Sequence, residues 1–174
     1  MGRSDHPRRN ARAPDMDVTP ASSRQLGRVP QPEQALSSVM PPLAALRPAA
    51  AAARAHVRAT LAMWDISHIE ADAETIVSEF VANAVNASSD EYGQPVYREG
   101  QILLLWVRLC VDGTNLLVEV WDQAEGAPAR KTVDLGAESG RGLTMVGELS
   151  DTWGWYPTER QPGKCVWAKI RIAP

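Results

Sequence analysis

Only two cysteines occur among 174 residues. Cys110 and Cys165 each sit alone inside an apolar run, so the paired spacing of a zinc site or a redox motif is missing. Buried free thiols in a reducing compartment are the expectation. Positive charge is not in excess either: 18 Lys and Arg against 21 Asp and Glu give a net charge of -3, which supplies no basic footprint for nucleic acid. No apolar run approaches the roughly 18 residues of a membrane span. Arg8-Arg9 is not followed by the apolar segment of a secretory signal, and His6 stands where N-myristoylation requires Ser or Thr. A soluble, cytoplasmic protein with no membrane partner is expected. The familiar phosphate signatures are missing as well, with no GxxxxGK[ST], no strand followed by GxGxxG, and no HRD or DFG set. A nucleotide, if bound, has to be held by another kind of fold.

The length suits one domain with a single core and some excess. That excess falls at the N-terminus, where residues 1 to 42 hold seven of the 13 prolines and no aromatic residue. Such a segment cannot bury enough apolar surface to offset the cost of ordering, so a disordered tail is expected over 1 to 42 and a folded domain over 43 to 174. Within the domain, "PAAAAARAHVRATLAMW" predicts a helix from Pro48 to Trp64, proline suiting its first turn. A second helix is predicted to start with Asp72 as its cap and run to Ala87, with Ile76, Val77, Phe80, Val81, Ala84 and Val85 as its apolar surface.

Two β-rich runs follow, "QILLLWVRLCV" and "NLLVEVWD", joined at Asp112-Gly113-Thr114 by a hairpin turn. Alternate positions put Leu103, Leu105, Val107, Leu109 and Val111 on one face of the first strand, and Leu116, Val118 and Val120 on the matching face of the second. The next residue in that second row is Asp122, and a carboxylate there is expensive to bury unless something donates hydrogen bonds to it. After a loop over 123 to 140, Leu143, Met145, Val146 and Leu149 mark a short helix. "TWGWY" and "KCVWAKIRI" are the last two strands, with Val166, Ala168, Ile170 and Ile172 on one face. This order predicts an α+β two-layer sandwich, its mixed, mostly antiparallel sheet covered by helices on one face.

Three polar residues interrupt the second helix. At 100° per residue, Asn83 lies about 40° and Asn86 about -20° from Glu79, so the three share a narrow sector. A solvated stripe is one reading. The other is ligand chemistry, because a carboxylate and an amide one turn apart suit a hard cation such as Mg²⁺, or a base and its orienting neighbour. Gly140-Arg141-Gly142 opens a helix and reads either as a phosphate cradle or as a hinge. His56 and His68 read as surface or loop residues, and Trp153 and Trp155 as packing residues.

Taken in order, "ETIVSEFVANAV", "VEVWDQAEGAP", "ESGRGLTMVGELSDTWGW" and "GKCVWAKI" resemble the boxes of the anti-sigma-factor serine/threonine kinase branch of the histidine kinase-like (GHKL) ATPase superfamily, over residues 44 to 173. The resemblance implies a Bergerat-type ATP-binding fold with ATP and Mg²⁺ as cofactors. It implies Glu79 as the catalytic base, Asn83 as the magnesium ligand and Asp122 as the acceptor for the adenine amine. Gly126, in the second box, would also bind the nucleotide, Gly140, Arg141, Gly142 and Leu143 would lie at the phosphates, and residues 129 to 139 would form a lid. The implied activity is phosphorylation of a Ser or Thr on a partner, a sigma factor or an anti-sigma antagonist, in a chain that can dimerise and does not touch nucleic acid. Two positions depart from the family pattern: Ala87 stands where His is frequent, and Ala124 where the second box usually has Gly. They leave open an alternative of another class, a non-catalytic module that sequesters its partner.

Overall fold

The computed structural model describes residues 36–124, 126–128, 142–158 and 162–172. Its first helix, α1, spans Ala49–Met63, with Pro48 as N-cap and Trp64 as C-cap. The second, α2, spans Glu70–Ala87 and begins two residues before the expected Asp72. Asp72 is therefore not the cap. A 3₁₀ turn at Ser67–Ile69 runs straight into α2, and its carbonyls take up leading amides, Ile69 N–H donating to Ile66 and Glu70 N–H to Ser67. No side-chain cap is needed where the preceding turn already satisfies those donors.

The strands are β1 (Ser37–Val39), β2 (Leu43–Ala44), β3 (Tyr97–Arg98), β4 (Gln101–Ile102), β5 (Leu104–Asp112), β6 (Asn115–Asp122), β7 (Thr152–Pro157) and β8 (Lys164–Arg171). Helix α3, Gly142–Leu149, precedes β7. The main sheet runs β1-β5-β6-β8-β7, with β2 also on β5, while β3 and β4 form a separate ribbon. All these pairings are antiparallel. Asp112 pairs with Asn115, so the hairpin turn is Gly113-Thr114, and Gly113 takes the left-handed φ of 61° that such turns favour.

Strand β1 lies inside the stretch expected to be a tail. Ser37, Ser38 and Val39 pair with Cys110, Leu109 and Arg108, and Leu43 pairs with Leu105 farther along the same strand. Pro41 and Pro42 lie between these pairs, which an edge position tolerates because no second neighbour needs their missing amides. Residues 1–35 lie outside the described residues.

The inner face of the sheet is aliphatic. Leu105, Val107 and Leu109 of β5, Leu116, Val118 and Val120 of β6, and Val166, Ala168 and Ile170 of β8 are all buried. Over them lies α2, which packs on β6 and β8 and against α1 and α3. It contributes Ile76, Val77, Phe80, Val81 and Ala84, each at most 1% exposed. Phe80 alone, fully buried, represents about 1.5–3 kcal/mol of burial. Trp153 and Trp155 pack against this core, as expected, whereas Met145 points outward. On the other face the sheet carries Trp106, Arg108, Glu119, Trp121 and Trp167, and Cys165 is buried beneath this layer. Thus the helices stand on one side only, and α2 carries the polar stripe.

Candidate functional site

Asp122 ends β6 and is 3% exposed. Its register partner on β8 is Lys164. The Lys164 ammonium donates to Asp122 Oδ1 at 2.8 Å and to the Ala124 carbonyl at 3.2 Å. Ala124 N–H also donates to Oδ1, at 2.9 Å. Burial pushes the Asp122 carboxyl above the ordinary carboxylate range, and Lys164 with the Ala124 amide draws it part of the way back. Oδ2 accepts nothing from the described residues. One oxygen of the buried carboxylate thus holds two donors, and the other holds none from the described residues.

Glu79 and Asn83 lie half-buried along the edge of α2, while Asn86, placed with them by helical spacing, is exposed. The stripe therefore divides. Glu79 reaches the start of α3, where a Cβ added at Gly142 would collide with its Oε2. Gly142 has to lack a side chain for the carboxylate to lie there. Glu79 and Asn83 make no hydrogen bond to the described residues, so a base and an amide acceptor both stand unspent on the same helix edge.

Leu143, next in the third box, is 4% exposed and belongs to the core, so it meets a ligand only through its backbone. Gly126 is exposed and has φ 88°, a conformation that suits glycine, yet a Cβ there would touch nothing within 4 Å. Gly140, Arg141 and the expected lid over 129 to 139 lie outside the described residues. Ala124 is not among the residues with positive φ, so no left-handed conformation calls for glycine there. Its buried methyl leaves the amide free to bind Asp122. Ala87 is exposed at the last turn of α2.

Glu79 also borders an open cleft of about 440 Å³ lined by Arg54, Ala71, Glu74, Thr75, Ser78 and Glu79 itself. Arg54 donates to Ser78 Oγ at 3.3 Å within it. This cleft contains none of Asn83, Asp122, Gly142 or Leu143, so it is a second surface that meets the first at Glu79. His56 is not the surface residue expected: it is half-buried on α1 and pairs with Ser38 Oγ of β1 at 3.3 Å. Exposed His68 contacts the Ile172 carbonyl at 2.5 Å.

Sequence reasoning passed over Lys164. The alternation that marked Asp122 would have found it, because Lys164 is the next position back in the row Ile170, Ala168, Val166.

The residues fit an adenine nucleotide on two observations. A buried carboxylate has one oxygen without a donor among the described residues, and a glycine opens a helix beside a glutamate that has no hydrogen bond to those residues. Mg²⁺ characteristically uses one or two protein ligands with phosphates and water, for which the free Asn83 amide is suited. Among the described residues no three His, Cys, Asp or Glu gather into a self-sufficient metal site. No described helix is long and apolar enough to cross a membrane.

Compared with known families, residues 41–170 match the model of the histidine kinase-like ATPase domain. No curated protein matches the chain in sequence.

Proposed function

The chain belongs to the histidine kinase-like ATPase family, and on that footing we propose that it transfers the γ-phosphoryl group of ATP to a Ser or Thr of a partner protein, in the manner of an anti-sigma-factor kinase. The observation that carries this reading is the place of Glu79. It stands between Gly142, at the start of α3, and an open cleft on the α1/α2 side, where a partner's hydroxyl can approach.

Asp122 Oδ2 accepts from the adenine amine, and the leading amides of α3 bind phosphate oxygens, favoured there by the helix dipole. Asn83 would hold Mg²⁺ through its amide oxygen, and the metal would offset charge on the triphosphate. Glu79 receives the proton of the incoming hydroxyl as that oxygen bonds to the γ-phosphorus, and the bond to the bridging oxygen breaks to release ADP. Positioning and charge stabilisation account for most of the rate in such a transfer. The partner is a sigma factor or an antagonist of an anti-sigma factor, whose binding the added phosphate would switch.

The test is transfer of labelled γ-phosphate to proteins that co-purify with the chain. The kinase reading expects a labelled Ser or Thr with the native chain and at least about a hundredfold less with Glu79→Ala. A chain that binds ATP and its partner without labelling it is a sequestering module instead.

A further inference from the structure

We infer that Lys164 is a positioning residue for base recognition: it locks the Asp122 carboxylate so that Oδ2 alone faces the ligand as an acceptor, and thereby selects a 6-amino over a 6-oxo purine. The inference rests on the proposed adenine site at Asp122.

The lock begins one residue earlier. Gly163 has φ 143°, and a Cβ there would collide with the Asp122 carbonyl oxygen. Only glycine brings the start of β8 so close to the end of β6. Lys164 is then delivered directly opposite Asp122, where both side chains are at most 2% exposed. Its ammonium fastens two things, Asp122 Oδ1 and the carbonyl of Ala124, and so ties the carboxylate to the loop that leaves β6. With the Ala124 amide on the same oxygen, Oδ1 holds two donors and Oδ2 holds none from the described residues. A carboxylate held at one oxygen cannot turn freely about its last torsion, so the open acceptor has a fixed direction.

Packing alone does not account for this lysine. It continues the inner row of Val166, Ala168 and Ile170, where an aliphatic residue would fill space without a buried charge. What the ammonium adds is a pull toward ionisation of its neighbour, against a burial that raises the Asp122 carboxyl. An ionised carboxylate only accepts hydrogen bonds, which suits the 6-amino group of adenine and opposes the 6-oxo group of hypoxanthine; a protonated one can donate to that oxo group. Among the described residues, the ionisable groups recorded acting with Asp122 are Lys164 and, behind it on β8, the Cys165 thiol, itself pushed up by burial, while Arg98 reaches the carbonyl of the next residue, Gln123. Lys164 is the cation that touches the carboxylate itself.

The experiment is calorimetric titration of the full chain with ATP and with ITP, at about pH 6 and about pH 9, for the native protein and Lys164→Met. The native chain is expected to favour ATP by at least about tenfold at both values. In Lys164→Met the preference is expected to fall to within about twofold at the lower pH and to return at the higher, where the carboxyl ionises without help. A native chain that binds ATP, with a variant that keeps the full preference at both pH values, overturns the inference and leaves the ATP reading standing. A native chain that binds neither nucleotide overturns both.

Should Lys164→Met fail to fold, the native chain still decides. The Asp122 carboxyl ¹³C resonance, assigned by its loss in Asp122→Asn, is expected to stay at its ionised position across this range and to shift with ATP more than with ITP. Titration of that resonance within the range, or equal responses to the two nucleotides, overturns the inference.

Discussion

Glu119 and Asp122 stand three residues apart on β6, and each faces a cation directly across the sheet, Arg108 on β5 and Lys164 on β8. Their surroundings separate them. Glu119 points to the face without helices, where the Arg108 side chain keeps 37% of its surface exposed and lies 5.3 Å from the centre of the Trp121 ring. Asp122 points under the helices, and its lysine is 2% exposed. The first cation can be rehydrated if its partner is lost, and the second cannot. Each carboxylate keeps one oxygen without a donor among the described residues, Oε1 of Glu119 and Oδ2 of Asp122, so what separates the pairs is the exposure of the cation and the place, mid-sheet on the open face against the strand end beneath the helices.

The largest effect expected from this difference is on stability. Asp122→Asn strands an ammonium in the interior and should cost about 3–5 kcal/mol, while Glu119→Gln leaves a guanidinium that still reaches water and stacks on Trp121, at a cost of about 1 kcal/mol. Urea denaturation of the two variants measures both. Equal losses would remove the distinction.

How far this contrast was legible in the sequence can be judged residue by residue. Period-two alternation found the faces of β5, β6 and β8, and it marked Asp122 as a carboxylate out of place in an aliphatic row. It could not show that Lys164 meets Asp122, because strand pairing between segments some 40 residues apart is set by the fold and not by local pattern. Helical spacing grouped Glu79 with Asn83 and Asn86, but it does not say where a partner element ends, and the start of α3 is what distinguishes Glu79. Strand β1 was hidden for another reason. Ser37, Ser38 and Val39 have no alternation to detect, and the edge of β5, together with the contact from Ser38 to His56, gives them their place.

Next in size is an effect on the ligand side alone. Gly142→Ala puts a methyl where Glu79 Oε2 lies. The obstructed atom is the tip of a flexible side chain, so stability should change by less than about 1 kcal/mol as the carboxylate swings aside. A displaced base, by contrast, should slow phosphoryl transfer at least about a hundredfold. Thermal unfolding beside a single-turnover transfer assay reads the two. Full transfer by this variant would mean that Glu79 does not act from the position it occupies here.

A smaller change separates the two carboxylates by binding. ATP affinity should fall at least about tenfold in Asp122→Asn, where an amide replaces the acceptor, and stay within about twofold in Glu119→Gln, whose change lies on the opposite face. Calorimetry below the unfolding range of both variants makes the comparison. A matching loss in Glu119→Gln would place the ligand's dependence on the sheet as a whole and not on the strand end.

The smallest expected effect concerns pH. Burial raises the Glu119 carboxyl above its ordinary value of 4.5, and Arg108 offsets only part of that rise. A carboxylate whose folded value is raised takes up its proton more readily in the folded state. Its stabilising share is therefore complete below the ordinary value and is lost as pH rises through the folded one. The stability of the native chain minus that of Glu119→Gln should decline from pH 4.5 upward and level off once Glu119 is ionised in the folded chain. Asp122 shifts in the same direction, so Asp122→Asn should give a difference of the same sign. If the Glu119 difference instead grew with pH, Arg108 would outweigh burial, and the mid-sheet pair would be the more strongly coupled of the two.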